Sequence, residues 1–443
     1  MRTVAKYAFS LLFLFLVAGF GFAQTKLTVA CWWMNDPVRA ANMQTAIVEF
    51  QKLYPKVQVE ALILDGTKYW DKLYLDIAND SEADIVAVDT GAGISSYDQT
   101  RPGGAFLALD KYIKGYVLKD GTSLEKDILF LNATQRSGQT IALPFINFYA
   151  QNTVYRKSVL KAAGIDPKKL ETWSGQLEVA KALTKADASG KRTTFGFAHP
   201  TTAKDVLTRW FTMPYLWTAG GGIFPLEKGP YTPDRLIFNS KENIKAFEYL
   251  LSINKAAGPT GDRRYYDDIR PLFLTGDVAF MQAAIWTMSS IETDMMPAGA
   301  FTSDLAFAPF PTYDLDGQKR APIYESWGNP LAISSKSKHP KEAFDFIAYM
   351  HSIEVQKREG VAASPVNKKA LPFYNSVKPK QGEFVAMATK YEMRIVPDIP
   401  QWNEFEGVIR QTFNSILVGA QTPKEALDEG QAEMVKILQA KKK

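Results

Sequence analysis

Three strand signals and two helix signals alternate between Lys26 and Asp89, and this alternation restricts the fold more than any other feature. In "KLTVACW", Leu27, Val29 and Cys31 recur on one face, the period of a strand. Asp36 then precedes Pro37, a capping residue ahead of a proline in a first helical turn. Met43, Ile47, Phe50 and Tyr54 follow at helical spacing, up to Pro55. "KVQVEALIL" reads as a second strand and "YWDKLYLDIAND" as a second helix, with Trp70, Leu73 and Ile77 on one side. "ADIVAVD" is a short strand, nearly all apolar, as in a sheet covered on both faces. Strand–helix–strand repetition of this kind predicts a mostly parallel α/β sheet.

The first 23 residues are set aside from fold reasoning. Arg2 and Lys6 precede an unbroken apolar run, Leu11 to Phe22, of twelve residues, and Gly21 and Ala23 surround a cleavage position after Ala23. A membrane-crossing helix needs about twenty apolar residues, so residues 1–23 read as a cleavable secretory signal peptide. Cys31 is the only cysteine. Gln24, Thr25 and Lys26 separate it from the apolar run, so it reads as a small buried residue and not a lipid anchor. An exported chain without disulfides depends on its core. The remaining 420 residues exceed what one core usually serves, and two lobes are expected. Without Arg2 and Lys6 the chain carries 50 basic and 47 acidic residues, a balance with no basic footprint for nucleic acid.

Further along, "SGQTIALPF" and "FYAQNTVYRK" bracket Ile146, Asn147 and Phe148 as a crossover between lobes. "KSVLKAAG" and "TWSGQLEVAKALTKAD" read as helices, "DLAFAPFP" as a strand, and Thr422 with Glu425 as a capping box for the last helix. The ordered segments "LTVACWW", "FQKLYPKVQVE", "ADIVAVDTGAG", "GQTIALPF", "VYRKSVLKAAGIDPKKLETW", "FLTGDVAFMQAAIW" and "IPQWNEFEGVIRQTFNSILVGAQTPKEALDE" carry a resemblance. They resemble the extracellular solute-binding proteins of ABC sugar importers, the maltose-binding-protein-like family, over essentially the whole chain after the signal. The resemblance implies an α/β, two-lobe periplasmic-binding-protein fold with hinge crossovers and an interlobe ligand cleft. It implies an N-terminal lobe of residues 25–146 and 304–349, and a C-terminal lobe of residues 148–303 and 352–443. It also implies a periplasmic monomer that closes over a mono- or oligosaccharide and docks to an ABC importer permease. The "VYRK" run departs from the family pattern at Arg156, a change expected to be structural.

A pyranose has apolar C–H faces and a rim of hydroxyls, which suits aromatic rings beside carboxylates, amides and arginine. In open α/β sheets ligands sit at strand ends, and the candidates are drawn from there. Trp33 is either an indole platform or a packing residue, with Asp36 expected to cap the helix. Asp65 follows the second strand and either bonds a hydroxyl or caps the next helix; Asp89 and Thr90 end the third strand before a glycine loop. Asn147 and Tyr149 lie at the crossover, near the cleft floor or in an ordinary hinge. Trp210 is preferred to Trp217 in "TRWFTMPYLWTAGGG". The resemblance points to Trp286 as a cleft aromatic and to Trp402 in a turn over the cleft. Glu325, Trp327 and Asn329 combine acid, ring and amide, with Gly328 permitting close approach. Arg358 and Arg394 read as solvated helix charges.

The rival readings are a secreted glycosidase and a binder of another solute such as a polyamine. A glycosidase needs two suitably spaced carboxylates, which sequence cannot exclude. No Gly-x-Ser-x-Gly elbow, Walker loop or His-Glu-x-x-His helix occurs. His199, His339 and His351 are far apart, so no metal site is expected, and no cofactor.

Overall fold

The protein is described from a computed structural model, covering residues 24–64, 68–88, 92–136, 138–149, 151–204, 206–258, 266–292 and 299–440. The expected start is present: β1 (Thr25–Ala30) runs parallel to both β2 (Val57–Leu62) and β3 (Ile85–Ala87), with Val29 opposite Ala61 and Ile85. Between them lie α1 (Pro37–Leu53) and α2 (Tyr69–Ala78). The Asp36 side chain caps α1, accepting from the Val38 and Arg39 amides at 2.9 and 3.1 Å. Met43, Ile47 and Phe50 form the buried stripe of α1. In α2 it is Tyr69, Leu73 and Ile77 that are buried. The Tyr69 hydroxyl lies 3.0 and 2.8 Å from the carbonyls of Ala30 and Ala87, fastening the helix to the ends of two strands.

The chain continues through a short hairpin, β4 (Gln135–Arg136) and β5 (Gln139–Thr140), into β6 (Ala142–Tyr149) and then β7 (Asn152–Arg156). Beyond these come β8 (Lys185–Ala186), β9 (Arg192–Ala198), β10 (Val278–Ala283) and β11 (Leu305–Ala308). The last strands are β12 (Ile323–Ile333), β13 (Ser364–Pro365) and β14 (Glu392–Arg394). The first sheet has the order β13-β6-β12-β3-β1-β2, with β14 joined to β12; the second has the order β11-β7-β10-β9-β8. Helices cover both sheets, as in a two-lobe α/β protein.

One feature differs from the sequence reading. The strand β11, grouped with the first lobe there, pairs with β7 in the second sheet, with Ala306 opposite Tyr155. The eleven-residue β12 lies in the first sheet, Ile323–Glu325 pairing with β14 and Ser326–Ala332 with β6, and its first residue also reaches the second lobe, the Ile323 amide donating to Thr218 Oγ1 at 3.0 Å. A long strand placed this way, next to the β6–β7 passage, is a geometry about which two lobes can hinge.

Within the second lobe, helix and sheet meet at backbone contact. Gly196 of β9 lies under the helix Trp173–Leu183, where an added Cβ would stand 1.9 Å from the Ala180 carbonyl oxygen. Two of the three histidines, His199 and His351, are buried. His351 is buried with its ring nitrogens against the Ile347 and Pro144 carbonyls, and burial holds its imidazole below the usual range against the pull of those carbonyls. Burial lowers His199 to about 3.

Candidate functional site

The double tryptophan lies past the strand and not in it. β1 ends at Ala30, and Trp32–Asn35 forms a short 3-10 turn that sets the two rings at right angles, with centroids 5.7 Å apart. Strand alternation therefore does not divide their roles. Trp33 is 1% exposed and stacks on Phe145 of β6 at 5.9 Å. The half-buried Trp32, not chosen as a candidate, donates its indole N–H to Asn329 Oδ1 at 3.0 Å. Asn329 lies in β12 opposite Ile146 and is fully buried. Trp32, Trp33 and Asn329 thus gather where the parallel strands of the first sheet end, the place where open α/β sheets take ligands.

Four residues before Asn329 on β12, Glu325 begins a second cluster. By strand rise the two positions are about 13 Å apart on one face of the strand. Glu325 is buried and receives Arg209 Nη1, from the helix Val206–Thr218 of the second lobe. Arg209 Nε donates to Glu406 at 2.9 Å, and its guanidinium lies 5.2 Å from the Trp402 ring. The two carboxylates keep the guanidinium charged by raising its pKa against the effect of burial. Trp402 and Trp210 are 4% and 3% exposed, and the Trp210 carbonyl accepts from Gln151 at 2.8 Å. Trp217, set aside earlier, is core: it is fully buried, with its indole N–H donated to Glu227 at 2.7 Å.

The lobes meet across the mouth of this region. Helix α3 (Ala92–Asp98) of the first lobe packs against the helix Trp402–Val418 of the second. Asp98 of α3 is ion-paired with Arg136 of β4. Across from Arg136, burial pushes the Asp398 carboxyl of the second lobe up to about 6, with Arg136 pulling it down. Trp33, Trp210 and Trp402 are all buried among the core residues.

Of the remaining candidates, Asp65, Asp89 and Thr90 lie outside the described residues, as do the side chains of Asn147, Tyr149, Trp286 and Trp327. The backbones of Asn147 and Tyr149 pair with Gly328 and Ser326 of β12. Arg358 and Arg394 are not solvated charges: Arg358 pairs with Glu49 and Arg394 with Glu392. Arg209 and Glu406 were missed. Arg209 is 116 residues from Glu325 and 197 from Glu406 in the chain, and no local pattern marks the cluster.

Residues 36–357 match the family of bacterial extracellular solute-binding proteins, and the chain belongs to it. It is 24% identical over 452 aligned positions to the mannitol-binding protein of Pseudomonas aeruginosa, with 91% of each chain covered. An ABC transporter solute-binding protein from Thermotoga lettingae, solved with α-D-tagatose, superposes with a TM-score of 0.74 at 19% identity, covering 94% of this chain and 100% of that one. An ABC substrate-binding protein from Listeria monocytogenes in complex with cycloalternan gives a TM-score of 0.71 at 20% identity, covering 94% and 100%. The fold is the two-lobe binding-protein fold that the sequence resemblance implied.

Proposed function

We propose that this chain captures a neutral carbohydrate, a mono- or oligosaccharide or the related polyol, between its two lobes and delivers it to an ABC importer permease. The observation that carries the reading is the gathering of indole rings beside amide and charged groups at two positions along β12. Trp32, Trp33 and Asn329 stand on the first lobe, and Trp210, Trp402 and the Arg209 ion cluster stand about one ligand's span along the same strand. Indoles cover apolar C–H faces, and amide and N–H groups bond the hydroxyl rim. The names of the relatives, which bind mannitol, tagatose and cycloalternan, support the chemical class and span a wide range of sizes.

The role is binding and not turnover. One lobe takes the ligand first, and hinge motion about β12 and the β6–β7 passage brings the other over it. The ligand must favour the closed form to shift the population toward it. In this reading residues 1–23 are a signal peptide cleaved on export, and the mature monomer works in the periplasm without a lipid anchor. Asp65, Asp89, Thr90, Asn147, Tyr149, Trp286, Glu325 and Trp327 belong to the proposed ligand wall together with Trp33, Trp210, Asn329 and Trp402. The test is a thermal-shift screen of the mature chain against D-mannitol, D-tagatose, D-glucose, maltose and longer glucans. Ligand at 100 times its Kd stabilises by about 2.7 kcal/mol, a clear shift in Tm. No shift with any neutral carbohydrate, or steady hydrolysis of a glucan, overturns the reading.

A further inference from the structure

Two buried donors in the first-lobe wall have no acceptor. Trp33 Nε1 and Asn329 Nδ2 belong to side chains 1% and 0% exposed, and neither finds a hydrogen-bond partner among the described residues. Buried polar groups in native proteins are nearly always bonded, so two orphans in one place call for a physical reason. Both are arranged around a single indole. Trp32 donates to Asn329 Oδ1 at 3.0 Å, which fixes the amide: its oxygen is taken, and the NH2 end is left over. The same Trp32 ring meets Trp33 edge-on, while Trp33 stacks on Phe145, the neighbour of Asn329's cross-strand partner Ile146.

We propose that Trp33 Nε1 and Asn329 Nδ2 are the anchoring donors of the first lobe, each received by a neutral oxygen of the ligand. This rests on the carbohydrate-binding reading and narrows it. An acceptor in each position completes two buried groups that are otherwise unmet, so occupancy removes a defect as well as adding a bond. The chemistry selects among solutes. A polyamine brings ammonium donors, which cannot pair with N–H groups. A sugar acid brings an acceptor with a full charge, and the buried guanidinium of Arg209 is already held between Glu325 and Glu406. Hydroxyl, ring or carbonyl oxygens of a neutral sugar or polyol meet both donors without burying a new charge.

The test uses the mature chain and isothermal titration calorimetry with D-mannitol, D-tagatose, D-glucose, maltose, D-gluconate and spermidine. For the tightest neutral ligand, Trp33→Phe and Asn329→Ala each weaken binding by about tenfold, the loss of one hydrogen bond to a buried donor. Monodeoxy analogues of that ligand separate anchoring from packing. One analogue binds the wild type about tenfold more weakly than its parent, yet binds Trp33→Phe as tightly as the parent does. Equal losses for every analogue in that variant, or unchanged affinity in both variants, overturn the assignment. Spermidine or gluconate binding tighter than every neutral ligand overturns it as well. Should a variant fail to fold by circular dichroism, the wild-type analogue series decides alone: two ligand oxygens must each be worth about tenfold. Absence of all carbohydrate binding is a different outcome, since it removes the functional reading itself.

Discussion

Replacing Arg209 with methionine tests the second cluster, with its ion pairs. Arg209 and Glu325 are both buried, and their carboxylate–guanidinium contact is shared with Glu406. Breaking a buried pair by removing one member costs about 3–5 kcal/mol, because the other charge is left without compensation. Glu325 has one escape, which is to take a proton. From an ordinary glutamate pKa near 4.3, protonation at pH 7 costs about 1.4 kcal/mol per pH unit, about 4 kcal/mol in all, and only about 1 kcal/mol at pH 5. The loss on Arg209→Met is therefore capped by pH. In the variant the folded-state carboxyl is raised above its unfolded value, so stability is kept at low pH and lost as pH rises. Urea unfolding at pH 5 and pH 7 reads this directly, with a deficit of about 4 kcal/mol at pH 7 shrinking to about 1 at pH 5. The double variant Arg209→Met, Glu325→Gln recovers most of the deficit at pH 7. A deficit equal at both pH values, or below about 1 kcal/mol at pH 7, refutes the reasoning about the Arg209–Glu325 pair.

Three further outcomes follow from the same structure. Glu359, in the helix Ile353–Ala362 against α1, is pushed up to about 7 by burial, with Arg39 and Arg358 pulling it down and Asp36 adding to the rise. Between about pH 4.5 and 7 the folded chain holds a proton there that the unfolded chain releases, so this site's contribution falls by about 3 kcal/mol across that window. Glu359→Gln cannot titrate and gains that amount relative to wild type from pH 4.5 to 7, then stays level; paired urea melts across the range check it. Gly196→Ala drives a methyl into the Ala180 carbonyl and lowers stability by about 3 kcal/mol in urea unfolding, with no rotamer able to relieve it. Trp402→Ala removes the ring beside Arg209 and weakens carbohydrate binding by about tenfold or more in fluorescence titration, with the first lobe's stability unchanged.

Local chemistry was legible in the sequence wherever a feature is made by neighbours in the chain. Asp36 caps α1, and Thr422 with Glu425 makes the capping box of the last helix, because each cap joins residues two or three apart. The parallel order of β1, β2 and β3 followed from periods of two and 3.6 in Leu27–Cys31 and Met43–Phe50. Trp32 was read into the first strand segment because a 3-10 turn at Trp32–Asn35 breaks the alternation without a proline or glycine to mark it. The sheet that β11 joins was hidden for another reason. An apolar strand such as Leu305–Ala308 carries no sign of which sheet it joins, and long-range pairing decides it. Arg209 escaped notice on the same ground, since a helical arginine looks solvated until Glu325 and Glu406 arrive from distant segments.

The most direct measurement is a crystal structure of the mature chain with the tightest carbohydrate from the thermal-shift screen. Electron density for the sugar should lie between the lobes, with ligand oxygens within about 3 Å of Trp33 Nε1 and Asn329 Nδ2 and a C–H face toward Trp402. Sugar bound on the outer surface of either lobe, with Trp33, Asn329 and Trp402 packed only against protein, would contradict the account.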